Sequence, residues 1–373
     1  MRRQFTTAAV VAAGILFSLS QPAAARDLVY GSYLPPKHNV NVYGLAPLFK
    51  ELKPDIPWKL VTGGQLFSGK ATLKSVGYGI ADAGVVIPAY VQSALKNAFT
   101  SMDMMAIGGD TLAMNAATLD TFINDCPQCL DDYHRNGTVL LATYAVGQWS
   151  MLCRDKVKTV DDLKGKRVRT TGALGRWAVA MGATPVSMTS GDMIEAIARG
   201  QLDCIFGSFA WLKAYPIEDS VKSIFAIRRG ATVVDLFVMN RDSWKGLGTA
   251  KQKEMLKAMP AAIARTMIDG YMGDDHKAAA LANKMHIPVY KPGKKTYDIY
   301  KAFQAKELGV VTARAKKRGA KNPKQIVDDL AKNYEKWEKK LAGLDRSDLK
   351  KLSAEYAKVL WDDIYSKIDP SKL

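Results

Sequence analysis

Short apolar runs bounded by Gly, Pro and polar residues recur along the first two-thirds of the chain. Between them, apolar positions repeat at helical steps. Residues 27–52, DLVYGSYLPPKHNVNVYGLAPLFKEL, read as a strand, a Pro-rich turn and an amphipathic helix. PWKLVTGGQLF (57–67) is a second strand entering a Gly-rich loop, and GKATLKSVGYGIADAGVVIPAYV (69–91) a helix, a Gly turn and an apolar strand. The alternation resumes after residue 160. It predicts a strand at Val168, a helix over 175–181, a strand at ATPVSM (183–188), a helix over 192–199 and a strand at LDCIFG (202–207). Strands alternating with helices in two successive blocks predict an α/β fold of two lobes.

ATVVDLFVMNRDSWKGL (231–247) reads as a long strand that carries the chain back to the first block. Lobe I is expected over 26–148 with a return segment at about 236–280, and lobe II over 149–235 with part of 281–320. Helices dominate afterwards, with breaks expected at Pro260 and at Gly270 and Gly273. In 321–373 two stripes stand out: Ile326, Leu330, Tyr334, Trp337 and Leu341, then Leu349, Leu352, Tyr356, Val359, Leu360 and Ile364. Each lies on one helix face, and packing surface is the reading for both. This C-terminal helical extension is expected either to brace the lobes or to mediate dimerisation.

The first 25 residues change the picture of where the chain works. Arg2 and Arg3, an apolar run over 8–19 and the small residues 23–25 describe a signal peptide, with cleavage expected after Ala25. The mature chain is expected in the periplasm. The formal charge of +17 falls to +15 without Arg2 and Arg3, and much of the surplus lies in 301–350, with fourteen Lys or Arg against seven Asp or Glu. Those residues are interleaved with acids and apolar positions, as on a solvated helical surface, and export argues against nucleic acid as a partner.

Four cysteines in an oxidising compartment suggest disulfides. Cys126 and Cys129 have the spacing of a redox pair, yet they follow a helix predicted over 119–124 instead of opening one, which favours a structural bond. Cys153 and Cys204 each lie in a strand-like run and are candidates to bridge neighbouring strands. His38, His134, His276 and His286 are scattered without ligand spacing, so no metal or cofactor is expected. No nucleophile elbow, zinc-protease helix or phosphate loop occurs, and GYGIADAG (77–84) has the wrong glycine spacing for a dinucleotide site. An enzyme is therefore not expected.

One residue invites a binding reading. In DDLKGKRVRTTG (161–172) the strand beside Val168 contains Arg169, heading towards a Thr-Thr-Gly bend. A guanidinium there either makes a surface salt bridge or forks onto the two oxygens of a carboxylate in a cleft.

VKTVDDLKGKRVRTTG, MGATPVSMTSGDMIEAIARGQLDCIFG and VVDLFVMNRDSWKGL resemble, in this order and spacing, the solute-binding subunit of a TRAP transporter in its dicarboxylate-binding, DctP-like branch. GGQLFSGKATLKSVGYGIADAG resembles an earlier pattern of that family, and the likeness covers roughly residues 27 to 310. The resemblance implies a two-lobed periplasmic-binding-protein-like fold with hinge strands and a long bracing helix. It also implies a small organic acid as ligand, and the small and large membrane subunits of a TRAP permease as partners. Arg169 occupies the position of the family's carboxylate clamp.

Other positions depart from the commoner pattern. Trp149, beside Gln148 and Ser150, stands where many members carry a second Arg; Tyr33 stands near an expected Asn; Met188 is followed by Thr189 and Ser190 instead of an aromatic residue. Arg169, Trp149, Tyr33, Gln148, Ser190, Met188, Phe209 and Trp211 are thus the candidate ligand-binding residues, the aromatic ones being either cleft walls or core. A single anion anchor among aromatics favours a monocarboxylate with an apolar, aromatic or zwitterionic remainder, or a sulfonate. Solute-binding proteins of ATP-driven transporters or sensors are the nearest alternative.

Overall fold

The computed structural model describes residues 26–373, so the expected leader and its cleavage point lie outside the described residues. Among the described residues one mixed sheet has nine strands: β1 Leu28–Gly31, β2 Trp58–Val61, β3 Ala83–Val86, β4 Thr138–Cys153, β5 Arg167–Thr170, β6 Thr184–Ser187, β7 Cys204–Ser208, β8 Ser223–Asn240 and β9 Val289–Tyr290. Their order is β2-β1-β3-β8-β4-β7-β5-β6, with β9 beside β8. The pairs β1–β2, β1–β3, β5–β6 and β5–β7 are parallel, whereas β8 runs antiparallel to β3 and β4.

The 16-residue β4 and the 18-residue β8 join the two halves of the sheet. At about 3.3 Å per residue each spans roughly 50 Å or more. The C-terminal part of β8 pairs β3, and the last residues of β4, Trp149–Cys153, pair β7. Apolar side chains on both faces explain why these strands read as continuous runs instead of alternating patterns.

Both disulfides are present. Cys153 and Cys204 are cross-strand partners on β4 and β7, where the sequence suggested a bridge. Cys126 and Cys129 are also bonded and buried. Their placement corrects one expectation. A π-helical turn, Thr121–Asp125, does end before them, but Cys126 also caps the helix Pro127–Arg135, so the pair opens a helix after all.

Pro260 and the two glycines do not break the helices as expected. Helix Arg241–Ala264 runs through Pro260 and passes directly into a π-helical segment, Arg265–Met272, and then into Gly273–Lys284. Met255, Leu256, Met259, Ile263, Met267 and Ile268 are buried along it, and that packing outweighs one lost backbone hydrogen bond. The interruption falls at Gly248, with φ 71°. Gly270 instead permits a close approach: a Cβ there would sit 3.2 Å from the Tyr43 ring.

The C-terminal stripes are buried within the chain. Helix Pro323–Leu341 packs on helix Thr111–Asp120, and Leu349–Asp363 packs on Arg241–Ala264. Trp337 Nε1 donates to Asp120 Oδ2 at 2.8 Å, and the Tyr356 and Tyr365 hydroxyls donate to the carbonyls of Leu112 and Leu141.

The long helix Lys294–Lys317 touches helix Ala98–Asp103, which follows β3, and helix Ala173–Ala180, which follows β5. A charged cluster ties the three together. Arg176 Nη1 donates to Asp103 Oδ1 at 2.9 Å, Arg176 Nη2 to Glu307 Oε2 at 2.5 Å, and Arg318 Nη1 to Asp103 Oδ2 at 3.4 Å.

Candidate functional site

A cavity lies where the two sheet halves meet, walled by residues just beyond the C-terminal ends of parallel strands. Tyr33 follows β1, Tyr90 follows β3, Thr171 follows β5, Ser190 follows β6 and Trp211 follows β7; Tyr144, Val146 and Trp149 on β4 and Thr232 and Val234 on β8 form its floor. Ligands of open α/β sheets bind outside the carboxyl ends of strands, so the topology alone points here. About 430 Å³ of atom-free space lies between these residues, its open mouth included. Only a small part of it has room for water. The space is narrow.

Among the described residues Arg169 is the one lining side chain that carries full charge at neutral pH, and it is 2% exposed. The chain turns away after it at Gly172, whose φ of 52° suits glycine, and enters helix Ala173–Ala180. Arg169 Nε donates to the Met188 carbonyl at 3.1 Å and Nη2 to the Tyr90 hydroxyl at 3.0 Å. Its guanidinium also lies 5.5 Å from the Trp211 ring centre. Among the described residues it meets no Asp or Glu, and no acidic side chain lines the cavity. The surface-salt-bridge reading of Arg169 is therefore corrected: the side chain is buried, and its remaining N–H groups have no protein acceptor.

The walls are aromatic. Trp149 meets Trp211 edge-on at 5.7 Å, Trp211 meets Tyr215 at 5.3 Å, and Tyr33 meets Tyr90 at 6.1 Å. Tyr144 stacks on Tyr271 at 5.9 Å. Burial raises the Tyr33, Tyr144, Tyr215 and Tyr271 phenols well above their ordinary value, so all four are neutral. His38 closes one end. Burial pushes its pKa down to about 3, so it too is neutral. His38 Nδ1 accepts from Val40 N, which leaves Nε2–H directed at the Tyr271 hydroxyl 3.4 Å away.

Of the eight candidates read from the sequence, Arg169, Trp149, Tyr33, Ser190 and Trp211 line this cavity. Met188 reaches it only through the carbonyl held by Arg169. Gln148 and Phe209 line a separate surface groove beside Arg229 and Tyr297. Tyr90, Tyr144, Tyr215, Tyr271, His38 and Thr232 were not foreseen.

Solved structures share the fold. A TRAP periplasmic solute-binding protein from Bordetella bronchiseptica with bound (R)- and (S)-mandelate matches with a TM-score of 0.71 at 18% identity, covering 83% of this chain and 99% of that one. A TRAP solute-binding protein from Rhodoferax ferrireducens in complex with copurified benzoate matches at 0.72 and 18%, covering 84% and 99%. The periplasmic ectoine-binding protein of a Halomonas elongata TRAP transporter matches at 0.70 and 16%, covering 83% and 100%. Residues 41–304, well over half of the chain, match the model of the DctP family, bacterial extracellular solute-binding protein family 7. The chain therefore belongs to that family, the solute-binding proteins of TRAP transporters.

Proposed function

We propose that this chain is the periplasmic subunit that captures a small monocarboxylate with a flat apolar or aromatic remainder and delivers it to the small and large membrane subunits of a TRAP permease. The observation that carries the reading is Arg169. A buried guanidinium without a carboxylate partner is costly, and a bound carboxylate accepting two N–H bonds offsets that cost. Neutral aromatic walls and narrow space suit a flat ring. Mandelate and benzoate are found in two proteins of the same fold.

In this reading the β2–β1–β3 side is lobe I and the β7–β5–β6 side lobe II, with boundaries near 148 and 235 and the helices from 321 onward an extension of lobe I. The ligand stabilises the closed form because it touches both sides at once. Ring faces can also hold a quaternary ammonium, so betaine-like acids and sulfonates belong in the test panel.

The test is a thermal-shift screen of the mature protein against aromatic acids, hydroxy and keto acids, dicarboxylates, sulfonates and betaines. An aromatic monocarboxylate should raise the melting temperature, and Arg169→Ala should abolish the shift. A shift that survives Arg169→Ala removes the anchor assignment.

A further inference from the structure

Among the described residues three buried polar atoms of the cavity wall have no partner: Thr232 Oγ1, Trp149 Nε1 and Trp211 Nε1. Thr232 is 5% exposed and its Oγ1 meets no hydrogen-bonding atom of the protein; Trp149 is 4% exposed and its Nε1–H is likewise unmet. Both side chains line the cavity, from the neighbouring strands β8 and β4. His38 is engaged, by the Val40 amide and the Tyr271 hydroxyl. The third, Trp211 Nε1, lies beside Tyr271 without meeting it in hydrogen-bond geometry, and the Arg169 guanidinium lies over its ring and leaves the N–H unengaged.

Buried donors are rarely left unmet, because each forfeits its bond to water. Thr232 and Trp149 lie on the long strands, whereas Arg169 lies on β5 and is separated from them by β7. Trp149 touches Trp211, the ring that Arg169 covers, so a carboxylate forked by Arg169 lies near it; with both oxygens taken, that carboxylate leaves the Thr232 hydroxyl to another part of the solute.

We propose that Thr232 Oγ1 and Trp149 Nε1 form a second, uncharged pole of the site, which selects a monocarboxylate bearing a neutral oxygen acceptor such as a hydroxyl, keto or ether group. The inference rests on the carboxylate reading and deepens it. A second carboxylate finds no second cation in the lining, and an unsubstituted acid displaces water from both groups without replacing its bonds.

The experiment is calorimetric titration with matched pairs: 3-hydroxybenzoate and benzoate, mandelate and phenylacetate, lactate and propionate, with isophthalate as the diacid. At least one oxygenated member should bind about tenfold or more tightly than its parent, and isophthalate should bind worse than either benzoate. Thr232→Val should weaken the oxygenated acid several-fold more than its parent, and Thr232→Ser should restore the difference. Parents and oxygenated acids binding alike throughout would overturn the inference, and so would Thr232→Val weakening both members equally; the pole would then hold only water. If no acid bound the wild type, or if all bound Arg169→Ala unchanged, the carboxylate reading would fall first and the inference with it.

Discussion

The Tyr90 hydroxyl accepts a 3.0 Å hydrogen bond from Arg169 Nη2 and so joins the two halves of the sheet across the cavity mouth. It also accepts from the Ser190 amide at 2.9 Å, which leaves its own proton free for a ligand oxygen. Tyr90 follows β3, whereas Arg169 and Ser190 belong to β5 and the turn after β6. Tyr90→Phe removes both bonds and keeps the ring. Affinity for an aromatic carboxylate should fall roughly tenfold, and the radius of gyration of the unliganded protein should rise in small-angle scattering. Unchanged affinity and radius would show that the hydroxyl does not hold the closed form.

Arg169 makes opposite contributions to binding and to stability. Its guanidinium is buried with two neutral acceptors and no countercharge. Arg169→Met should cost binding about 3 kcal/mol or more, while leaving the unliganded melting temperature unchanged or raised. Arg169→Lys should also bind poorly, because an ammonium cannot fork onto both oxygens. A large loss of melting temperature in Arg169→Met would mean that the residue is structural.

The cluster of Asp103, Arg176 and Glu307 is the reverse case, a buried network whose members satisfy one another. Asp103 and Glu307 are 1% and 5% exposed at the side chain, and Arg176 18%. Arg176→Met strands two carboxylates, although Arg318 remains 3.4 Å from Asp103 as a partial partner. Destabilisation of about 3 kcal/mol is expected in urea unfolding. A loss below about 1 kcal/mol would place the cluster with ordinary surface pairs.

Much of this fold is legible in the sequence because its strands are short and closed by Gly and Pro. The helix-to-strand turn through Gly79 falls where GYGIADAG suggested, and Arg169 lies in the strand read around Val168. The cavity floor is less legible for a physical reason. In a regular strand Val146 and Gln148 would share a face, yet Val146 and Trp149, three residues apart on β4, both face the cavity and Gln148 lies in a separate groove, so strict alternation misplaces them. Tyr90, Tyr215, Tyr271 and His38 come from segments far apart in the chain, each unremarkable by itself. Only the topology brings them together.

The two disulfides should differ in weight. Cys153–Cys204 closes a loop with a sequence separation of 51, and Cys126–Cys129 one with a separation of 3. The loop-entropy model gives about 4 kcal/mol for the first and about 2 kcal/mol for the second. Cys153→Ser with Cys204→Ser should therefore lower stability by about twice as much as the Cys126, Cys129 double substitution, measured by urea unfolding. Equal losses would indicate that local packing outweighs chain entropy.

His38 gives a pH signature with a definite sign. Its folded pKa of about 3 lies below its unfolded value of 6.5, so between those values the unfolded chain binds a proton that the native state does not. Its contribution is fully present above pH 6.5 and lost as pH falls, by up to about 1.4 kcal/mol per unit. Asp235 acts oppositely. Burial raises its carboxyl well above 3.8 despite the bond from Tyr133, so it favours the native state at low pH and loses that effect as pH rises through its folded pKa. The two slopes have opposite signs, so each partly offsets the other wherever both groups titrate, which leaves the wild type flatter there than either group alone. The informative quantity is therefore the stability difference between wild type and His38→Gln, measured by urea unfolding at pH 7.5, 6 and 5. The difference should move in favour of the variant by roughly 1 kcal/mol per unit below pH 6.5. Parallel curves would show that His38 takes up its proton in the folded state and that this end of the cavity carries charge.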